Sequence, residues 1–143
     1  MTGTVRSRLE LEPTALATRE IGGWLRASLA HLELPAAAAV LPRAELAVHE
    51  ACMNVIEHGG LPDGSTIELT LDLTPDRLLV RVVDHGDAFD PSTAAALPAE
   101  PLRERGYGLT IIRSLATEVS YRRVGEVNEL ELRMEIGGDD AQR

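Results

Sequence analysis

No lysine occurs anywhere in this chain; all fourteen of its basic residues are arginine. That absence excludes three chemistries. A P-loop needs a lysine to reach the β- and γ-phosphates. A eukaryotic-type protein kinase needs one to pair the nucleotide phosphates, and every Schiff-base mechanism needs an amine. Cysteine is almost as scarce: Cys52 stands alone, so no disulfide forms within the chain, which fits a reducing compartment. Aromatic residues make up 3% of the 143 residues, so Leu, Val, Ile and Ala must fill the core. No apolar run approaches the roughly 18 residues of a membrane span. The opening MTGTVRSRLE has no apolar centre of the kind a signal peptide needs, and a cytoplasmic location is the expectation. Positive charge is also short. The net charge is −9 and the pI about 4.9, whereas a nucleic-acid binder carries a basic patch. Direct binding to DNA or RNA is therefore disfavoured, and an acidic surface suits a basic protein partner at most.

What is present is ordinary globular chemistry, with 44% hydrophobic and 26% charged residues. The length predicts one compact domain over residues 1–143, with a core over about 5–137. Residues 5–12, VRSRLELE, read as an edge strand. Pro13 and Thr14 open a helix whose stripe is Leu16, Ile21, Trp24, Leu25 and Leu29. The segment LPAAAAVLP reads as a connector with some helical character. Pro42 then suits an early position of a second helix, which runs to His58 and is stopped by Gly59 and Gly60. Alternation in STIELTLDLTPDRLLVRVVDHG predicts a hairpin turning at TPDR. Residues 87–105, with three prolines, form a long loop, and loops of that length are usually functional or mobile. GYGLTIIRSLATEVSY opens a third helix and ends in a strand, and NELELRMEI, residues 128–136, is the last strand. The order β-α-α-β-β-loop-α-β-β predicts an α+β fold: a two-layer sandwich whose mostly antiparallel sheet is covered on one face by helices. The Trp24 surface is either core or a partner or dimer face, and core is the simpler reading.

Three stretches carry candidate chemistry. In HEACMNVIEHGG, residues 49–60, the stripe Ala44, Ala47, Val48, Ala51, Cys52 and Val55 faces the sheet. Leu46, Glu50, Asn54 and His58 fall four apart on a neighbouring face, which is either a solvated polar face or a functional one. Zinc would need His at i and i+4 around a Glu; His49 and His58 are nine apart, on different faces. In VVDHGDAFDP, residues 82–91, Asp84 ends an apolar strand as a turn former, or as an acceptor for an amino group on an adenine edge. Gly86 removes a side chain that would block a flat base, and Phe89 could pack under the loop that follows. In RERGYGLTIIRSL, Gly106 and Gly108 precede an apolar helix, where bare N–H groups either cap the helix or bind phosphate. Arg103 and Arg105 stand just upstream, either solvated or within reach of a γ-phosphate.

The order of these stretches resembles the GHKL (Bergerat-fold) ATPases: Glu-x-x-x-Asn on a helix, Asp-x-Gly at a strand end, a long loop, then Gly-x-Gly-Leu opening a helix. The whole chain is similar to the anti-sigma factor serine/threonine-protein kinases of that superfamily. HEACMNVIEHG resembles their N-box, DHGDAFDP their G1 box and GYGLTIIRSLATEVSY their G2 box.

The resemblance implies ATP and Mg²⁺ as cofactors. It makes Asn54 the Mg²⁺ ligand and Glu50 the general base toward a substrate serine. Asp84 would receive the adenine amino group, with Gly86 and Ala88 beside it. Arg105, Gly106, Tyr107, Gly108, Leu109 and Thr110 would line the phosphates, residues 87–105 would form the lid, and His58 would support the site. The partners implied are a sigma factor and an anti-sigma factor antagonist, and a homodimer is compatible with the family. A partner-sequestering module without catalysis and a switch protein that activates a phosphatase share the fold. Two positions depart from the family's pattern. Ala88 stands where a second glycine is usual, and VGEVNELEL stands where many relatives carry a Gly-Thr pair.

Overall fold

Period-two alternation places every second strand residue on one side, and that side becomes the core. The computed structural model describes residues 4–31, 35–88 and 111–136. Its strands are β1 (Val5–Leu11), β2 (Ile67–Leu73), β3 (Arg77–Asp84), β4 (Glu118–Val124) and β5 (Val127–Glu135). They form one sheet in the order β1-β2-β3-β5-β4, with every neighbouring pair antiparallel. Ile67, Leu69, Leu71, Leu73, Leu78, Val80, Val82, Leu132 and Met134 are buried on its inner face. The β2–β3 turn closes as TPDR predicts: Thr74 and Arg77 exchange backbone hydrogen bonds, and the Thr74 hydroxyl accepts from the Asp76 and Arg77 N–H groups.

Charge covers the outer face of the sheet. The Arg81 guanidinium lies 3.3 Å from Asp72, 3.1 Å from Glu129 and 3.2 Å from Glu131, bridging carboxylates on two flanking strands. Arg8 donates to Glu68 in the same way, and that carboxylate pushes the exposed guanidinium's pKa up.

The helices cover the other face. A 3₁₀ turn (Ala17–Arg19) leads into α1 (Glu20–Leu29), and α2 spans Pro35–His58. Residues 111–115 are helical, and Ile112 joins the core. Helix α1 packs on α2 and β1, and α2 packs on β3 and β5. Trp24 packs against the core, and its indole N–H donates to the Ser7 hydroxyl at 2.8 Å. Among the described residues no helix is long and apolar enough to cross a membrane.

Two boundaries differ from the sequence expectation. The first helix does not start at Thr14. The Thr14 hydroxyl accepts from the Ala17 N–H at 3.1 Å, a capping bond that holds a turn ahead of the 3₁₀ segment. The connector before Pro42 is itself helix, so α2 begins at Pro35 and carries Pro42 inside. An interior proline costs about 3 kcal/mol, because it cannot donate to the carbonyl four residues back and its ring crowds that carbonyl. Here that carbonyl belongs to Ala38, which is exposed, as is Pro42, so water can take the missing bond. Burial of Val40 and Val48 at about 1.5–3 kcal/mol each, with Ala37, Ala44 and Ala47 alongside, offsets the remainder.

Candidate functional site

The last turns of α2 present two faces. Ala44, Ala47, Val48, Ala51 and Cys52 are buried against the sheet. One step around the helix, Glu50 and Asn54 are half-buried one turn apart, while Leu46 is exposed. The Glu50 carboxylate lies 3.9 Å from Nδ1 of His49, too far for a direct hydrogen bond. No hydrogen bond to the Asn54 carboxamide forms among the described residues. His58 lies 3.9 Å from Glu57 at the helix end.

That helix end is joined to the turn that follows β3. The Gly59 N–H donates to the Val55 carbonyl at 2.9 Å, and the Asp87 N–H donates to the Gly59 carbonyl at 2.6 Å. A methyl group at Gly86 would overlap that Gly59 oxygen and crowd the Asp84 carboxylate. The close approach of two backbones therefore demands glycine here. The sequence reading gave Gly86 the task of clearing space for a flat base; what lies over its Cα is the end of α2. Gly60 has φ of +63°, a region that side chains strain to adopt, and a Cβ there would meet the Asp87 carboxylate.

Asp84 sits at the centre. It is 6% exposed. Its Oδ1 accepts from the Gly86 N–H at 2.8 Å and from Nδ2 of Asn128 at 2.9 Å. Its Oδ2 has no hydrogen-bond partner among the described residues. Cys52, two residues from both Glu50 and Asn54, lies close beneath. Burial first, then the Asp84 charge, pushes its thiol pKa up to about 12. The turn of α2 bearing Glu50 and Asn54 and the end of β3 bearing Asp84 therefore adjoin.

Strand register supplies the remaining members. Asp84 of β3 pairs with Asn128 of β5, and Asn128 pairs with Arg123 of β4, so the three stand in one row across the sheet. Besides Asp84, Nδ2 of Asn128 meets the carbonyls of Gly86 at 3.1 Å and Asp87 at 2.9 Å. Its Oδ1 accepts from the Tyr121 hydroxyl at 2.6 Å and the Arg123 guanidinium at 2.8 Å. The same Arg123 nitrogen reaches the Gly86 carbonyl at 3.0 Å.

Of the residues singled out in the sequence, Glu50, Asn54, Asp84 and Gly86 are brought to one end of the sheet. Ala88 is exposed beside them. Arg105, Gly106, Tyr107, Gly108, Leu109 and Thr110 lie outside the described residues, as do Phe89, Arg103 and most of the 87–105 segment. Sequence reasoning missed Asn128, Tyr121 and Arg123. One signal was available. Asn128 has the same parity as Leu130, Leu132 and Met134, so alternation alone puts a polar carboxamide on the core face, where it must find partners.

Among the described residues no three His, Cys, Asp or Glu side chains converge as a protein cage. Mg²⁺ needs none: it takes hard oxygen ligands, keeps several waters and is commonly held by one or two protein oxygens together with phosphates. The carboxamide oxygen of Asn54 fits that role.

Comparison with known proteins agrees with this architecture. The family model described as the histidine kinase-like ATPase domain matches residues 9–134. The chain is 32% identical over 83 residues to a serine-protein kinase RsbW of Bacillus mycoides, an alignment covering 52% of each chain. It is 33% identical over 86 residues to a serine-protein kinase RsbW of Halalkalibacterium halodurans, covering 54% of this chain and 52% of that one. The match thus spans about half the length of these relatives. Among solved structures, the RsbU and RsbW domains of Rv1364c from Mycobacterium tuberculosis superpose with a TM-score of 0.67 at 19% identity. That superposition covers 92% of this chain and 32% of the other, and it speaks to the fold.

Proposed function

Because the chain belongs to the histidine kinase-like ATPase domain family, we propose that it binds ATP with Mg²⁺ and acts as a cytoplasmic anti-sigma regulator. In this reading it transfers phosphate to a serine of an antagonist protein and sequesters a sigma factor. The observation that carries the nucleotide part is Asp84, a buried residue whose Oδ1 accepts two hydrogen bonds and whose Oδ2 has no partner among the described residues, beside the turn of α2 that holds Glu50 and Asn54. Oδ2 keeps acceptor capacity that these hydrogen bonds do not use, and the exocyclic amino group of adenine is a donor that fits it.

Each residue then has one task. Asp84 accepts from the adenine amino group. Asn54 holds Mg²⁺ through its carboxamide oxygen, and Mg²⁺ bound there supplies charge neutralisation along the phosphates. Glu50 accepts the proton of the attacking serine hydroxyl. The two α2 residues are separated by one turn, about 6 Å along the axis at ~1.5 Å per residue, which suits a base placed beside a metal-bound phosphate. Arg105 and the backbone of Gly106, Tyr107, Gly108, Leu109 and Thr110 hold the phosphates.

The test is incubation with ATP, Mg²⁺ and a candidate antagonist protein, followed by detection of phosphoserine. Transfer that disappears in Glu50→Gln while ATP still binds supports the kinase reading. ATP binding without transfer leaves a partner-sequestering module, the reading that Ala88 favours. Capture of a sigma factor that responds to ATP tests the regulatory part.

A further inference from the structure

A carboxylate that reads a base must offer one oxygen in one direction, and here that direction is set from outside the three sequence motifs. The row Asp84–Asn128–Arg123 crosses three neighbouring strands. Its hydrogen bonds admit one orientation of the Asn128 carboxamide. Arg123 is a donor only, so the atom it meets at 2.8 Å must be Oδ1. The Asp84 carboxylate and the Gly86 and Asp87 carbonyls are acceptors only, so the atom they meet must be Nδ2. Tyr121 adds a second donor to the Oδ1 side at 2.6 Å. A flip of this carboxamide would set acceptor against acceptors and donor against donor at four contacts, those with Asp84, Gly86, Asp87 and Arg123, so this orientation is strongly held.

We propose that Asn128 is a specificity-determining positioning residue: by fixing Asp84 Oδ1, it leaves Oδ2 to select a purine bearing an exocyclic amino group over one bearing a carbonyl oxygen. The inference rests on the nucleotide-binding reading above. With Oδ1 held by the Gly86 N–H and by Asn128, rotation of the carboxylate would break both bonds. An amino group at the purine edge donates to Oδ2. A carbonyl oxygen at the same place points lone pairs at a buried anion that cannot turn away, and a buried acceptor left facing an acceptor carries a large penalty. The carbonyls of Gly86 and Asp87 are tied to the same carboxamide, so the turn that carries the carboxylate is fixed together with it.

The experiment compares ATP with inosine triphosphate, which carries a carbonyl oxygen in place of the amino group, by calorimetric titration in Mg²⁺. The proteins are the full chain and its Asn128→Ala and Asn128→Leu variants. Asn128→Leu keeps about the same side-chain size and removes the donor without adding a charge, so it serves if the smaller residue unfolds the chain; thermal melting checks that each variant is folded. The wild type binds ATP more tightly than inosine triphosphate. In the variants that ratio falls by about tenfold or more, the equivalent of one charge-assisted hydrogen bond, chiefly through weaker ATP binding. A ratio unchanged in folded variants overturns the inference. So does a parallel loss of affinity for both nucleotides, because it would make Asn128 a structural residue without a part in selectivity. A wild type that binds neither nucleotide removes the nucleotide reading itself, a failure distinct from the other two.

Discussion

The backbone N–H of Asp87 donates to the carbonyl of Gly59 at 2.6 Å. This one bond ties the end of α2 to the turn after β3, so the helix that offers Glu50 and Asn54 and the strand that offers Asp84 hold a common geometry. Gly86 makes that closeness possible, since any side chain there would meet the Gly59 oxygen.

Gly86→Ala should therefore destabilise the protein by about 1–3 kcal/mol, the usual range for forcing an extra methyl into a packed site. It should weaken ATP binding as well, because the turn carrying Asp84 must shift. Denaturant unfolding and titration of the same sample measure both. Gly23→Ala is the matching control. Gly23 is exposed within α1 with open space where a Cβ would go, and alanine there should stabilise by about 0.5–1 kcal/mol without touching nucleotide affinity.

Glu50→Gln should lower the rate of phosphate transfer by about 100-fold or more while leaving ATP affinity near wild type, since it removes a proton acceptor and no binding contact. Asn54→Ala should instead abolish the dependence of ATP affinity on Mg²⁺ concentration. Titrations at several Mg²⁺ concentrations separate the two residues, and equal loss of binding in both variants would refute this division of labour.

The Cys52 thiol ionises near 9.0 in an unfolded chain and is pushed up to about 12 by burial and by Asp84. The folded state therefore keeps the proton where the unfolded state has lost it. This stability contribution is fully present below about pH 9 and is lost as pH rises toward about 12. Within that window each pH unit should cost about 1.4 kcal/mol. Unfolding free energies measured at successive alkaline pH values should fall more steeply for the wild type than for Cys52→Ala. Thiol reagents should leave the native protein unlabelled and label it after unfolding.

Arg81→Leu leaves Asp72, Glu129 and Glu131 facing one another on the outer sheet face without their shared cation. The loss should be about 1–2 kcal/mol at low ionic strength and should shrink as salt screens the repulsion. Thermal melts across a salt series check it; a deficit independent of salt would mean that packing of the arginine stem, not charge, is what counts.

Much of this was legible in the residues themselves. Alternation in β2, β3 and β5 gave the sheet and its buried face, because a strand half in water must sort its side chains by parity. The stripe on α2 fixed which side of that helix met the sheet, and with it the half-buried neighbouring face that carries Glu50 and Asn54. The start of α2 was misread because proline is a strong local signal. A solvent-facing Pro42 after an alanine run costs the helix little, and burial further along outweighs local propensity. Asn128 was missed for the opposite reason: its role depends on which strand lies beside which. Asp84 and Asn128 are 44 residues apart in the chain, and only the β3–β5 register makes them neighbours. Motif order found the carboxylate, and register was needed to find what holds it.

The strand order β1-β2-β3-β5-β4 has a consequence for how the molecule breathes. Asp84 and Asn128 lie on strands paired on both sides, whereas Tyr121 and Arg123 lie on β4, which among the described residues pairs with β5 alone. Edge strands open before central ones. When β4 frays, Asn128 loses both donors to its carbonyl oxygen while the β3–β5 ladder stays intact. The carboxamide is then held from its Nδ2 side alone, so Asp84 keeps a partner that is less firmly fixed, without any wider unfolding. Amide exchange along β4 should therefore track the sharpness of base selection, linking a local opening at the rim of the sheet to recognition in its interior.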